Sequence, residues 1–338
     1  MPLIEFCQKL PKIELHAHLN GSLSQDTLTL LKTPFEHIEK YKLLTRLNCN
    51  EEKLNLGFTL FQIAHDATNT VETTYLATKH VIEEFYKDNV VYLELRTTPR
   101  VEENMSKREY VETIIKAISD QSFITVKLLL SINRSHALEE IQETMGLILE
   151  MYNIYPHIIK GVDFSGNPNL GTFPEQLFIK AREAGLKITL HCAEVVNNEE
   201  VYQMLKFKPD RIGHGTFINP RYGGCNKNWQ LYCSNKIPLE CCLTSNVLCN
   251  TVKSYAEHHM QEWMKNNLPF TINTDDKGVF DTTLSNEYFY AAKYLNMSKE
   301  SMFNCSIVAI NSSFADEEEK LKLKTYLMKW KSINLELF

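Results

Sequence analysis

The sequence predicts an α/β fold, specifically a (β/α)8 TIM barrel with extra helices covering the barrel mouth. Three observations predict it. Short apolar, β-rich runs recur along the whole chain, each ends in polar residues, and each is followed by a stretch with helical periodicity. Eight such pairs fit one closed barrel of parallel strands. Barrels of this class reach 338 residues as one unit, so residues 1–338 are expected to form a single domain.

The strands are expected at Ile13–Leu19, Val90–Arg96, Thr125–Ile132, Ile158–Phe164, Lys187–Ala193, Asp210–His214, Ile237–Leu243 and Pro269–Thr274. Several are apolar on both faces, as strands are when helices cover one side and a packed interior the other. Amphipathic stretches at Thr74–Asp88, Lys107–Gln121, Leu138–Tyr152, Pro174–Ala184, Glu199–Leu205 and Tyr255–Asn266 supply the crossovers. The stretch Leu28–Thr73 exceeds what one crossover needs and reads as helices over the mouth. After the last strand, Thr283–Leu295, Ser301–Asn311 and Asp316–Lys324 should be helical. A doubly wound sheet would want a glycine-rich phosphate turn after the first strand, and Asn20-Gly21-Ser22 does not supply one.

Composition narrows the function. With 43% hydrophobic and 23% charged residues the chain has the make-up of a globular protein. A formal net charge of −6 argues against general nucleic-acid binding. No apolar run reaches the roughly 18 residues that a membrane span needs. The nine cysteines show no Cys-x-x-Cys framework, and Cys192, Cys241 and Cys242 lie inside apolar runs, so they read as buried reduced thiols. The opening MPLIEFCQKLPKIEL has no secretory features. These features lead us to expect a cytoplasmic protein that binds neither nucleic acid nor membrane, and the chain is taken to be a monomer.

Functional groups in such barrels gather at the C-terminal ends of the strands. Those ends carry His16 and His18, Arg96 to Arg100, Asn133-Arg134, Asp163 to Gly166, His191 to Glu194, His214, Thr244 to Asn246, and Asp275-Asp276. His16 and His18 stand two apart in an extended run and so point to one side. Three histidines and one aspartate match a catalytic zinc with a position left for water, which makes His16, His18, His191 and Asp275 the expected ligands. One carboxylate leaves the ion net positive, so water there is acidified toward neutrality. Singly, each residue has a plain structural reading: a hydrogen-bonded core histidine, a turn at Asp275-Asp276, a tight loop at His214. Their joint placement favours the metal site. His258, His259 and Glu262 also have ligand spacing, but they sit on a stretch that reads as an exposed amphipathic helix and are set aside.

ELHAHLNGS, TLHCAE, RIGHG and NTDD, in that order and spacing, resemble the adenosine deaminase family of metal-dependent aminohydrolases from about Lys12 to Phe280. The resemblance implies one zinc per chain on the four ligands above, with His18 also near the substrate. It implies Glu194 as proton donor, His214 beside the attacking water, Asp276 on the purine and the Gly166 backbone at the far edge of the ring. Water attacks the carbon bearing the amino group once the neighbouring ring nitrogen is protonated. Glu194 must then carry a proton near neutral pH, which burial favours.

Asn20 stands where classical members of that family carry an aspartate touching the sugar. A phosphate about 4 Å from an aspartate would meet up to about 4 kcal/mol of repulsion at an effective dielectric near 20, and asparagine removes it. Thr97, Thr98, Pro99 and Arg100 offer two hydroxyls and a guanidinium suited to phosphate, although the same residues would also make an ordinary strand-to-helix turn. The combination resembles the adenosine deaminase-like branch, the N6-methyl-AMP deaminases. That resemblance implies hydrolysis of N6-methyl-AMP to IMP and methylamine, and it places His65 and Asn133 near the ligand. At Asn133 many members carry aspartate. Two alternatives stand beside this reading. One is an adenosine deaminase acting on the free nucleoside. The other is a non-catalytic purine-binding protein with a vestigial metal site, which the presence of Glu194, His214 and both aspartates argues against.

Overall fold

Each apolar run becomes a strand in the order written. The computed structural model describes residues 2–41, 43 and 50–338. Among these, eight parallel strands pair in sequence order: β1 (Lys12–His18), β2 (Val90–Thr97), β3 (Thr125–Asn133), β4 (Ile159–Ser165), β5 (Lys187–Cys192), β6 (Arg211–His214), β7 (Leu239–Cys241) and β8 (Phe270–Ile272). A parallel bridge between Ala17 and Asp275 returns the end of β8 to β1. There the Asp275 N–H donates to the His16 carbonyl at 2.8 Å and the His18 N–H donates to the Asp275 carbonyl at 2.9 Å. The barrel therefore closes beside the residues that carry its chemistry.

The helices are α1 (Leu3–Lys9), α2 (Gln25–Leu30), α3 (Phe35–Tyr41), α4 (Asn50–Ala67), α5 (Val71–Lys87), α6 (Lys107–Ser119), α7 (Leu138–Ile154) and α8 (Glu175–Glu183). They continue with α9 (Asn198–Phe207), α10 (Asn226–Asn235), α11 (Leu243–Leu248), α12 (Met260–Lys265), α13 (Leu284–Leu295), α14 (Lys299–Ser312) and α15 (Glu317–Ile333). Capping boxes at Thr70/Thr73, Ser106/Glu109 and Asp316/Glu319 start α5, α6 and α15, each pair satisfying orphan backbone donors reciprocally. The Thr70 cap begins α5 a few residues before the expected Thr74. Helices α2 to α4 occupy the stretch expected over the mouth; its residues 42 and 44–49 lie outside the described residues.

Three helices escaped periodicity, because α1, α10 and α11 are short or polar. Helix α11 also shortens β7, since Leu243, read as strand, is the first helical residue. The Tyr255–Asn266 stretch needs a larger correction. It is a 3-10 turn at Tyr255–Glu257 followed by α12, and His258 and His259 in the joint between them are fully buried. A helical wheel drawn across that break assigns both to the wrong face.

Below the mouth the barrel interior is ionic rather than apolar. Arg211 pairs through Nη2 with Glu94 at 2.5 Å and through Nε with Glu240 at 2.6 Å. Arg96 reaches Glu240 at 3.0 Å and Asp163 at 3.1 Å, and all these side chains have no solvent exposure. Charges so buried are tolerated only because each is paired, and removing one partner leaves an uncompensated charge. Arg211→Met should therefore cost about 3–5 kcal/mol of stability, read as a lower urea midpoint. An unchanged midpoint would show that the network contributes nothing.

Candidate active site

Strand ends bring five groups to one point. His16 is fully buried and its Nδ1 is tied to Glu240 Oε2 at 2.6 Å, which turns Nε2 toward the barrel axis. His191 Nδ1 is tied to Asp163 Oδ1 at 3.0 Å, and its Nε2 faces His18 Nε2 at 3.1 Å. Asp275 Oδ1 lies 3.3 Å from both His16 Nε2 and His18 Nε2. His214 Nε2 stands 3.9 Å from Asp275 Oδ2 and 3.7 Å from Glu194 Oε2. Ligand atoms of His16, His191, His214 and Asp275 all lie within 4.8 Å of one another. The four expected ligands are thus together, with His214 in the same cluster.

This donor set fits a divalent metal ion. His16 Nε2 is buried with no hydrogen-bond partner, although it faces a carboxylate and other imidazoles. Facing lone pairs of this kind are reconciled by a cation between them. Carboxylates on the outer nitrogens of His16 and His191 fix ring orientation and tautomer, as they do for metal-ligating histidines generally.

Glycines and strained residues shape the cluster. A Cβ on Gly21 would fall 1.6 Å from Asp276 Oδ1, and one on Gly213 would fall 2.9 Å from the His16 ring. Ala193, His214 and Asp275 all adopt positive φ, between 58° and 62°, at the ends of β5, β6 and β8. Left-handed backbone costs energy in residues with a Cβ, and here it aims three chain segments at one centre.

Burial raises the Glu194 carboxyl above its ordinary pKa, with the Asp275 charge adding to it. Asp276 is pushed up further by burial and by the charges of Asp275 and Glu194, and its Oδ1 has no partner in the protein. Burial works against ionised Asp275, but the neighbouring imidazoles of His16, His214 and His18 hold it well below the usual carboxylate range. Two neighbouring aspartates are thereby shifted in opposite directions.

The mouth is built around Asn20. Its Oδ1 accepts from Arg100 Nη1 at 3.1 Å and from the Tyr110 hydroxyl at 3.0 Å, while its Nδ2 donates to Thr68 Oγ1 at 3.0 Å. Arg100 also donates to Glu102, to Tyr110 and twice to Thr68, so all five of its N–H groups have protein acceptors. The guanidinium that the sequence offers to a phosphate is thus already engaged within the protein. Thr97 is buried with its hydroxyl against Tyr110 at 2.7 Å, Thr98 is partly exposed, and Pro99 is buried between them and Arg100. His65 on α4 is partly buried, and burial followed by the nearby Arg100 charge lowers its pKa to about 4, so it is neutral. Asn133 Oδ1 accepts from the Ser135 N–H at 2.9 Å and packs where a Cβ on Gly166 would sit.

Sequence reasoning missed Glu240 and Arg96 as site residues and gave Asp163 no role. The available signal was an acid or arginine inside an otherwise apolar strand run. It also dismissed His259, whose Nε2 meets the His214 carbonyl at 2.7 Å.

A parallel eight-stranded barrel with a His/Asp cluster at its C-terminal rim defines the class of metal-dependent barrel hydrolases. The family model described as Adenosine deaminase matches residues 11–330. The Drosophila melanogaster adenosine deaminase-like protein is 40% identical over 94% of this chain and 96% of its own length. The human N6-methyl-AMP deaminase is 38% identical over 95% and 93% respectively. Arabidopsis ADAL, solved in complex with IMP, superposes with a TM-score of 0.85 at 37% identity, covering 96% of this chain and 98% of that one. The chain belongs to the adenosine deaminase family, and it is a hydrolase that deaminates purines.

Loss of the outer carboxylate on His16 should loosen the metal site. Glu240→Gln is expected to weaken divalent-ion affinity about 10- to 100-fold, measured by competition with a chromophoric chelator. Affinity equal to wild type would remove Glu240 from the site.

Proposed function

We propose that the chain hydrolyses N6-methyl-AMP to IMP and methylamine, using one zinc ion per chain held by His16, His18, His191 and Asp275. The observation that carries the nucleotide reading is the neutral Asn20 joined to Arg100 at the mouth. No carboxylate at position 20 itself repels a phosphate, and the Arg100 guanidinium, ion-paired with Glu102 at 2.6 Å, stands beside it. The names of the human relative and of several solved neighbours point the same way.

Zinc, when bound, would acidify a water so that hydroxide is available near neutral pH. The protein groups do the rest. Glu194, whose carboxyl burial pushes up, donates in its protonated form to the ring nitrogen next to the reacting carbon and makes that carbon electrophilic. His214, beside both Glu194 and Asp275, orients the attacking water and stabilises charge as the tetrahedral carbon forms. Asp276, whose carboxyl burial pushes up, offers a hydroxyl in its protonated form to a nitrogen on the imidazole side of the purine, with Gly21 giving it room. Asn20, Thr97, Thr98, Pro99 and Arg100 frame the phosphate, while His65, Asn133 and the Gly166 backbone border the sugar and ring.

The alternative, a deaminase of the free nucleoside, draws on one observation: every N–H of Arg100 is already accepted within the protein. On our reading Arg100, its charge paired with Glu102, acts by bracing Asn20. We further take residues 1–338 as one domain working as a monomer in the cytosol. Support comes from the buried, unpaired thiols of Cys7, Cys192, Cys241, Cys242 and Cys305, which suit a reducing compartment, and from the lack of any described helix long and apolar enough to cross a membrane.

Side-by-side assays with N6-methyl-AMP, AMP and adenosine decide between the readings. Turnover should be highest on N6-methyl-AMP, and robust use of adenosine alone would refute the nucleotide assignment. Arg100→Ala should lower kcat/KM for nucleotides by more than tenfold, about 1.4 kcal/mol, and spare any nucleoside activity. Glu194→Gln should lower kcat about 100- to 10,000-fold. Because protonated Glu194 is the active form and its pKa is raised, wild-type kcat/KM should fall as pH climbs through that elevated value, and this basic limb should vanish in the variant.

A further inference from the structure

We infer that His259 is a positioning residue for His214, holding the strained strand end from which that imidazole works. The inference rests on the proposed function only in the role it gives His214. Its structural content is independent of which purine is the substrate.

His214 has φ of 62°, and Gly215 after it has φ of 65°, so two consecutive residues turn the left-handed way at the end of β6. Glycine does so freely, whereas a residue with a Cβ needs its surroundings to hold it there. On one side the Gly215 N–H is held by the carbonyl of Cys192 at 2.9 Å. On the other, the His214 carbonyl, at the same peptide, accepts a 2.7 Å hydrogen bond from His259 Nε2. A carbonyl only accepts, so Nε2 carries the proton, and His259 Nδ1 is buried with no partner. That ring is neutral and spends its one N–H on the catalytic peptide.

His259 is itself immobilised. It has no solvent exposure, stacks on His258 with ring centroids 4.3 Å apart, and meets Trp263 edge-on at 5.5 Å. His258 in turn accepts from the Met260 N–H at 3.1 Å through Nδ1 and reaches Asn246 Oδ1 at 3.1 Å through Nε2. The pair therefore ties the end of β6 to α11 and α12. A packing role would be met by any flat ring at 259. The hydrogen bond to the His214 carbonyl would not, and this difference is the test.

His259→Phe keeps the ring and its stacking but removes the donor, whereas His259→Gln keeps a donor at similar reach. Both are made in the full chain and loaded with zinc, then compared with wild type by kcat and KM, metal content, thermal midpoint and crystal structure. Displacement of a catalytic group by about 1 Å costs on the order of 100-fold, so His259→Phe should lose roughly that factor in kcat. Its KM and metal content should stay within about threefold of wild type, and His259→Gln should keep kcat within about threefold. In crystals of His259→Phe the His214 Nε2 should move away from Glu194 by about 1 Å.

The inference is overturned if His259→Phe retains kcat, if both variants lose activity alike and in step with their thermal midpoints, or if His214 stays in place. Should His259→Phe fail to fold, His259→Met is read by the same criteria. If wild type turns over none of the three purines, the proposed function falls, and the displacement of His214 alone then decides the inference.

Discussion

One carboxylate holds the barrel's ionic interior to its chemistry. Glu240 on β7 accepts from His16 Nδ1 and Arg96 through one oxygen and from Arg211 and Thr189 through the other. Four strands besides its own, β1, β2, β5 and β6, thereby share a single anion with no exposure to water. Opposite charges brought so close hold Glu240 ionised against the cost of burial. Because His16 leans on that anion, the orientation of its inner nitrogen is set from beneath. Asp163 does the same for His191 while also accepting from Arg96 and Ser131.

Electrostatics at the rim follow from that floor. A buried positive network would repel a cation, but the acids outnumber the arginines, so the field under the histidine cluster favours a divalent ion. Asp275 gains from the imidazoles around it and remains ionised, while burial and the charges of Asp275 and Glu194 push Asp276, next in sequence, the other way, with Arg96 only partly offsetting them. One strand end thus carries two carboxyls shifted in opposite directions. At the mouth, Asn20, Arg100, Tyr110 and Thr68 interlock into one polar unit joining the loops after β1 and β2 to the end of α4.

Strands and rim residues were legible because both signals are local. Apolar period and chain breaks mark each strand, and His-x-His, His-Cys-Ala-Glu and Asp-Asp stand at the ends where barrels keep their chemistry. Partnerships across the barrel were not legible. Glu240 and His16 lie more than two hundred residues apart, and nothing near either one announces the other. Short strands were overdrawn for a related reason: Leu243 is apolar enough for a strand, yet it begins α11. His258 and His259 were misread because a turn interrupts the helix that a periodic pattern assumes. Arg100 looked like a free cation because sequence shows a charge and hides its acceptors.

Closure of the sheet at Ala17 and Asp275 has a consequence for biosynthesis. The first histidines leave the ribosome long before the aspartate that completes the ring of strands, so a chain cut short before β8 lacks one member of the cluster. The cluster is assembled only when the last strand has joined the first.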